Sequence, residues 1–232
     1  MGVVTVGENA STSGLPSLPA RLAAVFHSPA RLVEQLAREP RWVGALLVGA
    51  ILVTISVALI PAELMMEANR QAAMERGREL PEMGDRVLRV IRIVTPIMSF
   101  LATLLMTAFM AGLYALVFAF VLGDEGRYVQ YLAMVAHANF IAVAFGLLLT
   151  PLRISIGDPQ LTLNLGTFLP FLPDGYVLSV LRYLDLTQIW STLVVAQGAH
   201  AIDRRRSFGS AATVGLSVVL LFAMVIAFFV ER

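Results

Sequence analysis

The chain has 232 residues, of which 58% are hydrophobic and only 14% are charged, and its formal net charge is +1. Soluble domains are about 45–50% apolar and about 25% charged, so this composition indicates a membrane protein. The near-neutral charge gives no indication of nucleic-acid binding, and the absence of cysteine excludes disulfides, thiol catalysis and cysteine metal sites.

Five long segments of the sequence contain no Asp, Glu, Lys or Arg. A helix needs about 20 apolar residues to cross the hydrocarbon core of a bilayer, and its backbone must satisfy its own hydrogen bonds there. The fourth segment, residues 186–202, lies at the lower edge of that length. We therefore predict an all-α, polytopic membrane bundle with one domain over residues 21–232. Its five transmembrane helices are expected at about residues 42–76, 82–122, 128–150, 183–202 and 209–230.

The amino-terminal part contains two different segments. Residues 1–20 are polar and broken by Gly and Pro, which predicts a disordered tail. Ser28 and Pro29 then form a typical helix start, and Leu32, Val33 and Leu36 share one face of the helix that follows. This pattern predicts a short amphipathic helix. It lies either on the membrane surface just before the first crossing or packed beneath the bundle.

The segment between the first two crossings is rich in charge and contains a break at Gly77, Pro81 and Gly84. We expect the first helix to run past the membrane to about residue 76, turn, and return as a long second helix, which gives an extended outer hairpin. Its four methionines are irregularly spaced, so a Cu(I) site is not favoured.

The third crossing follows a tight loop at residues 123–126, and Pro151 is expected to end it. Residues 154–181 are apolar but are interrupted by Gly and Pro, which predicts an irregular segment at the membrane interface. The predicted segments on the two sides of the membrane contain nearly equal numbers of arginines. The dense short loop with Arg204, Arg205 and Arg206 favours a cytoplasmic location for that loop and, in a five-helix chain, for the amino terminus.

Three groups of residues in this order are characteristic when taken together. They are Ser28-Pro29 followed by Pro40-Arg41-Trp42, the Gly123 loop leading into YVQYLAMVAHA, and LDLTQIW followed by GAHA at residues 184–201. With this arrangement, about residues 18–230 resemble the Yip family of Ypt-interacting, multi-pass membrane proteins. One departure is Asn139-Phe140-Ile141, where many relatives have a proline, so a kink in the third helix stays open.

The resemblance implies a five-helix fold with a cytoplasmic amino terminus. Eukaryotic relatives are implicated in Rab GTPase binding and in traffic from the endoplasmic reticulum to the Golgi. All 17 basic residues here are arginine, and this usage in an Ala-rich chain favours a bacterial protein of the cytoplasmic (inner) membrane. A bacterium has no Rab-driven vesicle traffic, so that role is not transferred.

Polar residues inside the predicted helices form the main candidate site. His137 and Asn139 flank a stripe of small residues on the third helix, and Gln197 and His200 share a face of the fourth. Intramembrane polar residues are costly and are often functional, so they form a candidate site for a proton, an ion or a headgroup. The alternative is ordinary hydrogen bonding between helices, which stabilises by about 0.6–2 kcal/mol. Arg204, Arg205 and Arg206 are candidate contacts for anionic lipid headgroups, or they serve only as a sidedness signal.

No enzyme motif, metal motif or cofactor motif occurs in the sequence. We therefore expect a non-enzymatic membrane adaptor or scaffold, without a cofactor, that acts through protein or lipid contacts. Its expected partners are membrane lipids, other membrane proteins or a second copy of itself. The alternative function is a small ion, proton or solute transporter or channel that uses the polar intramembrane residues.

Overall fold

The computed structural model describes residues 15–75, 77 and 84–230, and within them the chain is helical and contains no β-strand. The prediction of an all-α chain is therefore confirmed for these residues. The helices are α1 (Leu18–His27), α2 (Pro29–Arg38), α3 (Val43–Leu59), α4 (Ala62–Glu75), α5 (Asp85–Ala115), α6 (Tyr128–Ile156), α7 (Tyr176–Tyr183), α8 (Leu186–Ile202) and α9 (Phe208–Val230). A π-helical segment, Leu116–Val121, continues α5, and a 3-10 turn, Leu165–Phe168, precedes α7.

Three helices in the described part of the chain are long and apolar enough to cross a membrane. They are α6, α9 and α5 with its π-helical continuation. Helices α3 and α4 together form a fourth candidate, although they are bent by 83° relative to each other. Helix α8 has 17 residues and does not qualify by length. The chain is an integral membrane protein, and the count of five crossings stays a prediction.

The single first helix predicted over about residues 42–76 is wrong, because the structure divides it into α3 and α4. The break lies at Ile60 and Pro61. A residue before proline is disfavoured in the α-helical conformation, and Ile60 accordingly has an extended ψ of 126°. The chain then turns sharply instead of running straight out of the membrane.

Pro151 does not end the third helix, contrary to the sequence prediction. Helix α6 continues to Ile156 and ends at Gly157, whose φ of +82° places it in the left-handed conformation. Glycine adopts this conformation at little cost and commonly terminates helices. Proline removes only one backbone hydrogen bond, and membrane helices tolerate that loss when neighbouring groups pack around it.

The amino-terminal helices pack against the bundle. Helix α1 begins at Leu18, inside the segment predicted to be a tail, whereas residues 1–14 of that tail lie outside the described residues. Leu32, Val33 and Leu36 of α2 are buried, and α2 packs mainly on α8. The break predicted for the outer hairpin at Gly77, Pro81 and Gly84 lies partly outside the described residues, which do not include Pro81.

Helix α6 is the central element of the bundle, since it packs against α3, α5 and α8. Its residues from Gln130 to Ala138 are all buried. Gly198 allows α8 to approach this part of α6 closely, because a Cβ at Gly198 would lie 1.8 Å from Sδ of Met134. Small residues permit such close helix packing in membranes. Helix α8 therefore packs tightly on α6. It corresponds to the fourth predicted helix and begins at Leu186, three residues later than expected.

The 29 residues of α6 span about 43 Å at 1.5 Å per residue, and different structures lie at its two ends. We call the end formed by α2, the 123–127 loop and the 203–207 loop the ion-pair end. We call the end formed by α4, residues 157–185 and the beginning of α8 the cavity end. Helix α7 lies at the cavity end within the segment predicted to be irregular, and it packs on α9.

Candidate functional site

The four polar residues predicted to form one intramembrane site lie in different surroundings. His137 is 1% exposed, and its Nδ1 lies 2.8 Å from the carbonyl oxygen of Ala133. Because that carbonyl can only accept, Nδ1 carries the proton. Nε2 of His137 is buried and has no hydrogen-bond partner among the described residues. Asn139 points to another helix, since its Nδ2 donates to Oγ1 of Thr107 on α5 at 3.1 Å.

The two predicted site residues of α8 also differ from each other. Gln197 is half-buried and makes no side-chain hydrogen bond with a described residue. His200 belongs to the ion-pair end, because its Nδ1 donates to the carbonyl oxygen of Arg206 at 2.6 Å. Its Nε2 lies 3.2 Å from Nη1 of Arg204, which donates to it. The four residues are therefore not joined by hydrogen bonds into a single cluster.

Arg206 forms the central contact of the ion-pair end. Its Nη2 donates to Oδ1 of Asp124 at 2.6 Å, and its Nε donates to Oδ2 of the same carboxylate. The two side chains are only 15% and 6% exposed, and the guanidinium lies 5.9 Å from the centre of the Phe118 ring. Bidentate arginine–carboxylate pairs are strong and directional. This pair therefore fixes the 203–207 loop to the loop between α5 and α6.

Asp203 makes a second connection between the same two loops. Its carboxylate accepts hydrogen bonds from the backbone N–H of Glu125 at 3.1 Å and from that of Arg205 at 2.9 Å. Nη2 of Arg205 also donates to it, at 2.6 Å. These hydrogen bonds hold the pKa of Asp203 well below its usual range, and those from the Arg205 side chain have the largest effect. The carboxylate thus stays ionised and keeps both loops in place at neutral pH.

Helix α2 is attached to this network by two contacts. Nη2 of Arg204 donates to Oε1 of Glu34 at 2.7 Å, and this bond lowers the pKa of Glu34. The pair is substantially exposed, so its own contribution to stability is small. Nε2 of Gln130 donates to the carbonyl oxygen of Ala37 at 2.7 Å. Gln130 also accepts from the backbone N–H of Arg127, so one buried side chain both caps α6 and holds α2.

The three arginines predicted to contact headgroups differ in what they can reach. Arg206 is mostly buried against Asp124. The side chains of Arg204 and Arg205 are 60% and 67% exposed, although each also pairs with a carboxylate. The sequence analysis identified these arginines but missed their partners Glu34, Asp124 and Asp203. The available signal was that acidic and basic residues occupy two short loops expected on the same side of the membrane.

Metal ligands are not grouped in the part of the chain that the structure describes, where no cluster of three or more His, Asp or Glu side chains could hold an ion. The arrangement at the ion-pair end instead links three separate parts of the chain with charged hydrogen bonds. Such a network can hold a surface in a fixed shape, which is a property of a contact surface.

Over most of its length the chain matches a known protein family. A family model described as the Yip1 domain matches residues 23–229. This range agrees with the residues, about 18–230, over which the sequence motifs resemble the Yip family. No curated protein and no solved structure matches the chain.

Proposed function

Because the chain belongs to the Yip1 domain family, we propose that it is a non-enzymatic membrane adaptor or scaffold whose ion-pair end contacts a protein partner. In this proposal the chain crosses the inner membrane of a bacterium five times, as α3, α5, α6, α8 and α9. The ion-pair end and the amino terminus lie in the cytoplasm, and the cavity end lies outside.

The observation that carries the proposal is the fixed connection of α2 and two loops through Asp124, Asp203 and Glu34. Partner binding costs less when a surface is already ordered. The network keeps the outer faces of α2 and both loops in one arrangement, so a partner need not order them.

The exposed charges on this surface are mainly basic, which suits a protein partner with an acidic contact patch. The network carboxylates neutralise only part of the positive charge, since Arg204 pairs with Glu34 and Arg205 pairs with Asp203. The exposed residues are Arg31, Gln35, Arg38, Glu125, Arg127, Arg204 and Arg205. Anionic lipids attract clusters of basic residues, and a positive patch equally suits a negative patch on a protein. The fixed shape of the network favours the protein, because a rigid surface can match a partner's shape.

Charge reversal on α2 tests this function without disturbing the network. Arg31 and Arg38 are exposed and form no ion pair with a described residue. We expect the double variant Arg31→Glu/Arg38→Glu to insert normally but to lose most of a partner that co-purifies with the wild-type protein after crosslinking in the membrane. Arg86→Glu/Arg89→Glu, an equal double change at exposed positions of α5 at the opposite end of the bundle, is the matched control. Recovery of the same proteins with all three chains would contradict the adaptor role.

The proposed orientation is tested separately, using the absence of cysteine from the chain. Single cysteines replace Gln35 at the ion-pair end and Asp174 at the cavity end, both of which are exposed. A membrane-impermeant maleimide added to intact cells should label the cysteine at position 174 and should label that at position 35 only after permeabilisation. The reverse labelling pattern would show that the chain has the opposite orientation in the membrane.

A further inference from the structure

Three adjoining cavities lie between the helices, and none is part of the proposed contact surface. The first, of about 470 Å³, is a groove between α5, α6 and α8. Its wall on α5 extends from Ser99 to Tyr114, which corresponds to about 22 Å along the helix. The wall is largely apolar, and most of its hydroxyl groups donate to carbonyl oxygens of their own helices, as Thr103 does to Ser99 and Thr192 to Gln188.

A second apolar cavity, of about 200 Å³, lies between α5, α8 and α9. It shares Met106, Met110 and Gln188 with the groove, and Val219 and Phe222 are among its other lining residues. The two cavities are therefore apolar branches that meet at the same three side chains. Methionine is flexible and adapts to irregular apolar shapes.

The third cavity, of about 220 Å³, differs because it contains charged groups. It is lined by Arg153 at the end of α6 and by Asp185 at the start of α8, and it shares Ala142 and Gln188 with the groove. Gln188 thus borders all three cavities, and its side-chain amide makes no hydrogen bond with a described residue. The lining changes from charged to apolar on passing from this cavity into the two branches.

Both charged groups keep hydrogen-bonding capacity for a ligand. Nε of Arg153 donates to the carbonyl oxygen of Leu161 at 2.9 Å, and among the described residues its guanidinium forms no salt bridge. Asp185 uses Oδ1 to accept from the N–H of Thr187 at 2.7 Å, which caps α8. One cationic and one anionic group therefore face a small cavity that opens towards two apolar branches.

We propose that these cavities bind one zwitterionic glycerophospholipid with a primary ammonium in its headgroup. Its phosphate contacts Arg153, because guanidinium groups suit phosphate oxygens, and its ammonium contacts Asp185. The acyl chains occupy the two apolar branches, and Gln188 lies where the ester groups pass between them. The site is independent of the adaptor role, since no residue of the ion-pair end takes part.

The test is native mass spectrometry of the full-length protein purified in detergent, with added phosphatidylethanolamine, phosphatidylcholine or phosphatidylglycerol. We expect one phosphatidylethanolamine to be retained at concentrations about tenfold lower than either other lipid, the size of effect given by one hydrogen bond to a charged group. Arg153→Gln should weaken retention of all three lipids by a similar factor. Asp185→Asn, which keeps the cap of α8, should remove the preference for phosphatidylethanolamine alone.

Two further variants keep the result interpretable. Arg182→Gln changes another arginine of the cavity end, one whose exposed side chain pairs with Asp174, and should bind lipid as the wild-type protein does. Ala142→Phe places a ring between the headgroup cavity and the groove, and should abolish the thermal stabilisation by phosphatidylethanolamine while leaving a folded protein. Equal retention of the three lipids by the wild-type protein and by the Arg153 and Asp185 variants would overturn the proposal.

Discussion

The two ends of the bundle use charge in opposite ways. At the ion-pair end, Arg206 and Asp124 pair with each other in a mostly buried, bidentate contact. At the cavity end, Arg153 and Asp185 both face a cavity and do not hydrogen-bond to each other. The buried carboxylates of the first end, Asp124 and Asp203, are satisfied by arginines of the chain, whereas the charged groups that face the cavity at the second end remain able to bind a ligand. The comparison separates buried charges that hold loops together from charges that line a cavity and can bind a ligand.

Removal of the Asp124 charge should cause the largest loss of stability among the variants that compare the two ends. Asp124→Asn leaves the Arg206 guanidinium without its carboxylate, and we expect a loss of about 2–3 kcal/mol, somewhat below the value for a fully buried pair. Reversible unfolding in mixed detergent micelles measures this loss of unfolding free energy. Asp174→Asn at the cavity end breaks an exposed pair and should cost less than about 1 kcal/mol. Similar losses in the two variants would remove the distinction between the ends.

Added side-chain volume should destabilise the tightly packed contact near the ion-pair end more than it destabilises the helices that line the groove. Gly198→Ala places a Cβ against Met134 near the ion-pair end, and we expect a destabilisation of about 1–3 kcal/mol from overpacking. Ala142→Leu adds more atoms at the middle of α6, but the side chain can enter the groove that Ala142 lines. Its effect should stay below about 1 kcal/mol. Thermal denaturation of both variants in one detergent is the measurement, and a greater loss for Ala142→Leu would contradict the packing described here.

Acid should loosen the ion-pair end through Asp203. Its folded-state pKa lies below its usual range because of the Arg205 hydrogen bonds. The stabilisation from this carboxylate is therefore complete above the unfolded pKa of about 3.9 and is lost as the pH falls through the folded pKa. Hydrogen-exchange protection of the Glu125 and Arg205 amides, which donate to Asp203, should decrease below about pH 4. The amide of Thr167, which donates to the neutral side chain of Asn164, supplies a reference at the other end, and Asp203→Asn should remove most of the pH dependence.

The smallest effect is expected at the attachment of α2. Arg204→Gln breaks an exposed pair with Glu34, so we expect little change in stability, because solvent screens exposed ion pairs. Leu36→Ala, in contrast, removes a buried side chain of the same helix and should cost about 2–3 kcal/mol. Denaturant midpoints of the two variants test whether α2 is held mainly by its apolar face. A larger effect for Arg204→Gln would show that the ion pair dominates.

The sequence was most informative about the uncharged segments. Long segments without charge in a bilayer have few structural options, so the helical character of α5, α6 and α9 could be predicted with their approximate bounds. Proline was a poorer guide to helix ends, because its effect depends on the surroundings. The chain breaks at Pro61 but remains helical through Pro96 and Pro151.

The candidate site was harder to predict, because it depends on contacts between distant parts of the chain. Asp124 and Arg206 are 82 residues apart, and helical periodicity carries no information about such a pair. The same limit applies to Arg153 and Gln188, whose shared cavity exists only after α6 and α8 have packed. The predicted grouping of His137, Asn139, Gln197 and His200 relied on shared helix faces, which fix direction but not the neighbour in that direction.

The most direct test of the adaptor proposal is photocrosslinking from both ends of the molecule in living membranes. A photoreactive amino acid replaces Gln35 on α2 in one chain and Asp174 in the other, since both side chains are exposed. The account predicts that position 35 captures a specific protein in near-stoichiometric amount and that position 174 does not. Capture of the same proteins from both positions, or of no protein from position 35, would contradict it.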